Sequence, residues 1–258
     1  MTGFAVLLRK ELTEAWRTRR LPLLAIMFVL IGLVSPLTAK FLPDILKAAL
    51  GDQAGSIPLP AADAAQAVAQ LQKNLGQLGA LAAIALAMGA VSGELDKGTA
   101  ALVLAQPVSR SAFLVAKLVA VGIVLAITTA LGMAVAWIYT TVLFEALPVG
   151  GWVALFALTW LALFAYAALT LWASAATGST TAAAGLGFVA LIGLNLAAVV
   201  PAVERVLPAG LAGPAAQLAT GVTADLDPAK LGTAVAGSAV VVAVAAVGAV
   251  AAFRRREL

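Results

Sequence analysis

The sequence predicts an all-α integral membrane protein: six transmembrane helices, an N-terminal interfacial helix and a short helix in a cytoplasmic loop. Three observations carry this prediction. Of 258 residues, 63% are hydrophobic and 11% charged, against about a quarter charged in a soluble domain, and the mean hydropathy is +1.06. A single soluble core cannot hide that much apolar surface. Six stretches are long enough, at about 1.5 Å per residue, to cross a hydrocarbon layer of about 30 Å. Lys and Arg are shared unevenly among the segments between them, as they are across a membrane.

The first element is an interfacial helix over about 4–20. Phe4, Leu8, Leu12 and Trp16 recur at four-residue spacing, while Arg9, Lys10, Thr13, Glu14 and Arg17 fill the other side and Glu11 stands near the boundary. That pattern suits a helix lying flat at the bilayer surface, with Trp16 at headgroup depth and the basic side toward anionic lipid. It reads either as a passive topogenic anchor or as an elbow that also touches a cytoplasmic partner. Met1 to Arg20 carries Glu11 and Glu14 and has no short apolar core before small residues, so a cleavable signal is not expected.

The spans follow over about 21–42, 75–93, 112–142, 152–177, 182–202 and 232–253. The third exceeds one crossing, so its first turns, through Lys117, are expected to project from the membrane or snorkel to its surface. With both termini inside, eleven of the sixteen Lys and Arg fall on the cytoplasmic side, including the clusters Arg17–Arg20 and Arg254–Arg256. The expectation is a multi-pass protein of the plasma (inner) membrane with N- and C-termini in the cytoplasm. The high pI near 9.7 is read as this topology, not as a nucleic-acid surface.

Two external loops, 43–74 and 203–231, are long. The first holds Pro43, Pro58 and Pro60, then an Ala/Gln-rich run, Ala61 to Gln72, that reads as a helix start continuous with the second span. The second is apolar yet broken by Pro208, Gly210, Gly213 and Pro214. It reads either as a re-entrant hairpin in the outer leaflet or as an ordinary loop with one short helix.

No Cys and no His occur. Disulfides, thiolate or imidazole metal sites and nucleophile–His pairs are therefore excluded, and no catalytic residue or bound metal is expected. Thr128, Thr129, Tyr139, Thr140, Thr141, Thr170, Ser174, Thr177 and Asn195 are the candidate functional polar residues within the spans. Ser and Thr there are expected to bond back to their own helix or join helices. Asn195 is the most expensive to bury and is expected at a helix interface or a translocation path. Gly185, Gly187 and Gly193 permit close packing, expected at a subunit interface. No charge lies at mid-membrane in any span, which argues against a proton relay or ion-coupled pump.

The most distinctive stretch is Gly93 to Lys117, GELDKGTAALVLAQPVSRSAFLVAK. Glu94, Asp96 and Lys97 follow the second span, Gly98 breaks the helix, and Thr99 is placed to cap a new one. Ala100 to Ala105 reads as a short helix, Pro107 ends it, and Ser109 caps the third span, with Arg110 and Lys117 at the membrane surface.

This segment resembles the first cytoplasmic loop of permease subunits in the type-two ATP-binding-cassette (ABC) exporter family. The recurring pattern is a Glu, a Gly-Thr pair four residues on, an apolar run, Pro-x-Ser-Arg and a Lys about seven residues later. Here those are Glu94, Gly98, Thr99, Leu102 to Leu104, Pro107, Ser109, Arg110 and Lys117. The start, LLRKELTEAWRTRR, is similar to the family's elbow helix with its Lys-Glu pair, Lys10 and Glu11, and the end, FRRREL, to its basic terminus.

By that resemblance, residues 1–258 form one permease domain and the loop 94–111 is a coupling element received by a cleft on an ATPase. Glu94 is implied as the polar contact or pivot, with Asp96 and Lys97 beside it. Gly98 and Thr99 would begin the coupling helix, and Pro107 and Arg110 would set its exit. No G-x-x-x-x-G-K-[ST] occurs, so ATP and Mg are expected on a separate ATPase chain, two copies per transporter, and none on this one. A second permease, the same or homologous, completes the pore. The expected function is an ATP-driven exporter of a hydrophobic or amphipathic cargo, and not an enzyme in itself. The alternative is a membrane scaffold or secondary carrier without an ATPase.

Overall fold

The computed structural model describes residues 2–50, 62–99 and 108–255. Among them every regular element is helical. The elements are α1 (Thr2–Arg17), α2 (Arg20–Leu50), α3 (Ala64–Asn74), α4 (Ala80–Met88), α5 (Ser92–Asp96), α6 (Arg110–Leu143), α7 (Val149–Thr177), α8 (Thr180–Ala197), α9 (Pro201–Glu204), α10 (Ala212–Thr220) and α11 (Pro228–Arg254). Six helical runs are long and apolar enough to cross a membrane: 20–49, 64–96, 110–143, 149–177, 180–197 and 228–254.

Their bounds differ from the expected spans where local chemistry intervenes. The first run passes through Pro36 and Pro43 without stopping. Each proline removes one backbone hydrogen bond, and α2 continues through both while packed against α3 and α6. The second run begins at Ala64, where the Asp63 carboxylate accepts from Gln66 N at 2.8 Å. It continues through a π-helical turn, Leu75–Gly79, into α4. The fifth stops at Ala197, earlier than the expected 202.

The centre of the bundle is α7, which packs on α4, α6, α8, α10 and α11. In the apolar 18-residue stretch of each run, half or more of the second, third and fourth is buried, but under a third of the first, fifth and sixth. The outer helices thus turn apolar faces such as Leu23, Ile26, Val189, Ile192, Val244 and Val247 outward. Helices α2 and α6 cross in backbone contact, because a Cβ on Gly32 would lie 2.0 Å from Gly132 O. Small residues at such crossings let membrane helices approach without a solvent-driven hydrophobic force.

Between α8 and α11 the chain folds back among the helices. A Cβ on Gly151 would meet Leu218 O at 2.0 Å, and one on Gly237 would meet Val206 O at 2.1 Å. Gly237 stands nine residues inside α11, about 14 Å from its start. The segment carries short helices, α9 and α10, and also a 3-10 turn, Pro208–Leu211; Val206 meets α11 well inside its end, whereas Leu218 meets α7 near its start.

Candidate functional site

The end of the bundle that bears α1 is organised by a break in the second run. Helix α4 ends at Gly89, and the backbone N–H groups of Val91 and Ser92 leave the helical ladder. Both donate instead to Ser174 Oγ of α7, at 3.3 and 3.0 Å. The Ser92 hydroxyl lies 3.0 Å from Met88 O and 2.8 Å from Thr180 Oγ1 of α8. The chain then makes one new helical turn, α5, closed by Gly98 at φ +68, whose N–H donates to Leu95 O at 3.0 Å. The positive φ is one that glycine adopts without steric cost. Thr99 donates its hydroxyl to Glu94 O at 3.3 Å.

This offset turn directs Glu94 inward, against α1 and α6. Its Oε1 accepts from Lys117 Nζ at 2.8 Å and also from Lys10 Nζ. Lys117 donates to Glu11 Oε1 at 2.9 Å. Lys10 donates to Glu11 Oε1 at 3.0 Å and lies 3.3 Å from Glu14 Oε2. Three carboxylates and two ammonium groups from three elements thus form one network. The Lys117 side chain is 2% exposed and that of Glu94 9%. Buried charges persist only when paired and hydrogen-bonded, and each ammonium here meets at least two carboxylates. Lys117 also sits 4.8 Å from the Phe113 ring centroid, and Phe113 stacks on Phe253 of α11 at 5.5 Å. Burial pulls the Lys10 ammonium down, but its bonds to Glu94 and Glu11 outweigh burial and hold it above the ordinary lysine value.

Glu11, Glu14 and Glu94 offer oxygens within 4.8 Å of one another, a spacing that a metal ion accepts. The two lysines already take one oxygen of each carboxylate, leaving Glu94 Oε2 without a partner among the described residues, and a cation added beside them would meet like charge. A cavity of about 260 Å³ adjoins the network, with Lys10, Glu94, Lys97 and Lys117 at its charged side and Leu86 and Val124 at its apolar side.

The sequence-predicted residues divide clearly. Lys10, Glu11 and Glu94 are brought together. Asp96 and Lys97 are exposed on the offset turn. The Arg110 guanidinium donates to Arg254 O at 3.1 Å, tying the start of α6 to the end of α11. Pro107 and the expected helix over 100–105 lie outside the described residues. Trp16 is 64% exposed, and Arg17 is exposed as well.

Two expectations need correction, those for Lys117 and Gly187, and the inward face of α1 is now defined. Lys117 does not snorkel outward, because Glu11 and Glu94 satisfy its ammonium inside the fold. The inward face of α1 is centred on Leu7, Glu11 and Ala15, one step round from Phe4 and Trp16, so Glu11 and Lys10 reach the network. Gly187 is used within the chain, since a Cβ there would lie 2.4 Å from Thr170 Oγ1, whereas Gly185 and Gly193 face open space.

The span hydroxyls also divide. Thr128, Thr170 and Thr177 bond back to Val124 O, Tyr166 O and Ala173 O at 3.0, 2.8 and 2.8 Å. Ser174 instead holds the broken end of α4, a role invisible in sequence because its partners are backbone groups more than 80 positions away. Asn195 donates to Tyr166 Oη at 3.1 Å and to Leu191 O at 2.8 Å.

Two comparisons with known proteins bear on this arrangement. Residues 5–258 match the family described as ABC-2 family transporter protein. The chain is also 27% identical over 151 residues to the uncharacterized transmembrane protein YxlG of Bacillus subtilis (strain 168). That match covers 56% of this chain, and the chain spans 57% of the relative's length.

Proposed function

The chain belongs to the ABC-2 transporter family, and from that premise we propose that it is the permease half of an ATP-driven exporter worked by a separate ATPase. It is a multi-pass membrane protein and a transport component. On the proposed reading, the end bearing α1 faces the cytoplasm, with both termini, in the plasma membrane. Two ATPase subunits carry ATP and Mg, and a second permease, the same or homologous, completes the path. The apolar spans favour a hydrophobic or amphipathic cargo.

The observation that carries this reading is the position of Glu94. It stands at the root of the 94–111 loop and is ion-paired to both α1 and α6. A push on that loop reaches the interfacial helix and the third span through one carboxylate. In this reading Asp96, Lys97, Gly98 and Thr99 present the loop to the ATPase, Pro107 and Arg110 set its return, and Trp16 and Arg17 hold the elbow at the membrane surface.

Affinity purification of the tagged chain after mild detergent extraction is the direct test. The expected result is a co-purifying ATPase whose hydrolysis rate depends on the permease. Recovery of the intact chain with no ATPase, from cells that express its neighbouring genes, would refute the proposal.

A further inference from the structure

A second cavity, about 120 Å³, lies in the middle of the bundle, far from the ion network. Four polar side chains line it, Gln72, Thr159, Tyr166 and Asn195, among apolar walls that include Leu163 and Leu211. Tyr166 stands eleven residues before the end of α7, about 16 Å along the helix and so near mid-bilayer. Two irregular pieces of backbone close the space. Leu75 and Gly76 of the π turn form one wall, and the 3-10 turn at Pro208–Leu211 forms another. Single π turns in membrane helices often mark functional positions, and non-helical backbone at depth persists only against protein or a water-filled cavity.

The hydrogen bonding leaves a defined remainder. Thr159 donates to Gln72 Oε1 at 3.1 Å, and Gln72 Nε2 donates to Ala212 O at 3.3 Å. Asn195 Nδ2 donates to both Tyr166 Oη and Leu191 O. The second of these acceptors is a carbonyl, so the amide orientation is settled and both its hydrogens are used. The Asn195 carbonyl oxygen and the hydroxyl hydrogen of Tyr166 are then without a partner among the described residues. One acceptor, on the exposed Asn195, and one donor, on the buried Tyr166, are left on a hydrogen-bonded pair that lines the cavity, and Gln72 Nε2 adds a second hydrogen without a partner among the described residues.

We propose that this cavity is a subsite for a neutral, hydroxyl-bearing group, such as the polyol headgroup of an amphipathic cargo. No Asp, Glu, Lys or Arg lines it, so an ion would enter without a counter-charge. A purely apolar group would leave the donor and acceptor unmatched, at the cost of desolvating both. A hydroxyl donates to Asn195 Oδ1 and accepts from Tyr166, and the volume holds several waters or a small polyol. The inference rests on reading the chain as a transport subunit, but it concerns binding alone.

The test therefore uses the purified full chain in nanodiscs without any ATPase. The probe is a diazirine-bearing monoacylglycerol, and the comparator is the same acyl chain as its methyl ester. Peptide mass spectrometry should place the glycerol-dependent crosslinks in 158–166 and 208–212. Tyr166→Phe should lower that labelling by about tenfold, the loss of one hydrogen bond to a buried partner, while methyl-ester labelling stays unchanged. Protection by excess free glycerol would assign the site to free polyols, and protection only by unlabelled monoacylglycerol to a lipid headgroup. Both uphold a hydroxyl subsite. Equal labelling of the wild-type chain by the methyl ester, or crosslinks confined to the outer faces of the bundle, would overturn it whether or not the variant folds. A failure here leaves ATPase co-purification untouched, so the two readings fall separately.

Discussion

Lys117 is the least exposed charge of the ion network, and its removal should be the most damaging single change there. Lys117→Met leaves Glu94 and Glu11 buried with half their counter-charge, and breaking such a network costs about 3–5 kcal/mol. The expected outcome is a large fall in the midpoint of thermal aggregation in detergent. Replacing both charges, Lys117→Met with Glu94→Leu, should cost less than the sum of the single changes, since neither charge is then left alone. Additive losses would show that the two residues do not share one network.

Lys10 supplies a pH prediction. A base whose folded pKa lies above its unfolded value contributes stability that is full below the unfolded value and lost as pH rises through the folded one. The Lys10 value is raised above the ordinary 10.5. Its hold on α1 should therefore be constant through neutral and mildly alkaline solution and weaken only above that value. Iodide quenching of Trp16, in a variant whose other tryptophans are phenylalanine, should stay flat below pH 10 and change only in strong alkali. A transition near neutrality would contradict the assignment.

The broken end of α4 belongs to the scale of elements. Ser174→Ala removes the acceptor of two N–H groups, Val91 and Ser92, both on fully buried residues. An unsatisfied buried donor costs about 1–3 kcal/mol. Amide exchange measured by mass spectrometry should speed up over 89–96 while the interior of α7 stays protected. Unchanged exchange there would mean that α5 is held by its own turn and not by α7. The α2–α6 crossing should tolerate even less, because Gly32→Ala drives a methyl group into Gly132 O. Overpacking of this kind costs about 1–3 kcal/mol or more and should be read as reduced folded yield on size exclusion. This scale also shows where sequence reading stops. Six apolar runs announce themselves by length alone, and the Ser109 cap, accepting from Ala112 N at 3.1 Å, is a local signal found in advance. The π turn and the Ser174 brace have no local signal, because they follow from how neighbouring helices meet.

For the whole molecule, the fold class was legible, while the ion network around Glu94 was not. Glu94 lies 84 positions from Lys10 and 23 from Lys117, and no periodicity links separations of that size. The hint available was Lys117 itself, a cation seven residues into an apolar helix with no acid at helical spacing beside it. The outward faces of α2, α8 and α11 make a prediction at this scale. A substitution at Gly185 or Gly193, where a side chain meets nothing within 4 Å of the chain, should leave the single subunit folded. If those positions serve a second permease, Gly185→Leu should shift mass photometry from two permease copies toward one. An unchanged oligomer would move the subunit contact elsewhere.

The glycine crossing of α2 and α6 has a mechanical consequence. Backbones touching at Gly32 and Gly132 cannot slide past one another without a collision of carbonyl groups, and α1 is fastened to the same α6 through Lys117. On the proposed reading, α1, α2 and α6 then act together as one stiff lever. On the same reading the compliant joint is the interruption at Gly89–Val91, where Ser174 takes the Val91 and Ser92 N–H groups and backbone bonds from Ala90 N to Ala87 O and from Gly93 N to Gly89 O carry the rest, so a stroke applied near Glu94 tilts that lever as a unit and flexes the protein there.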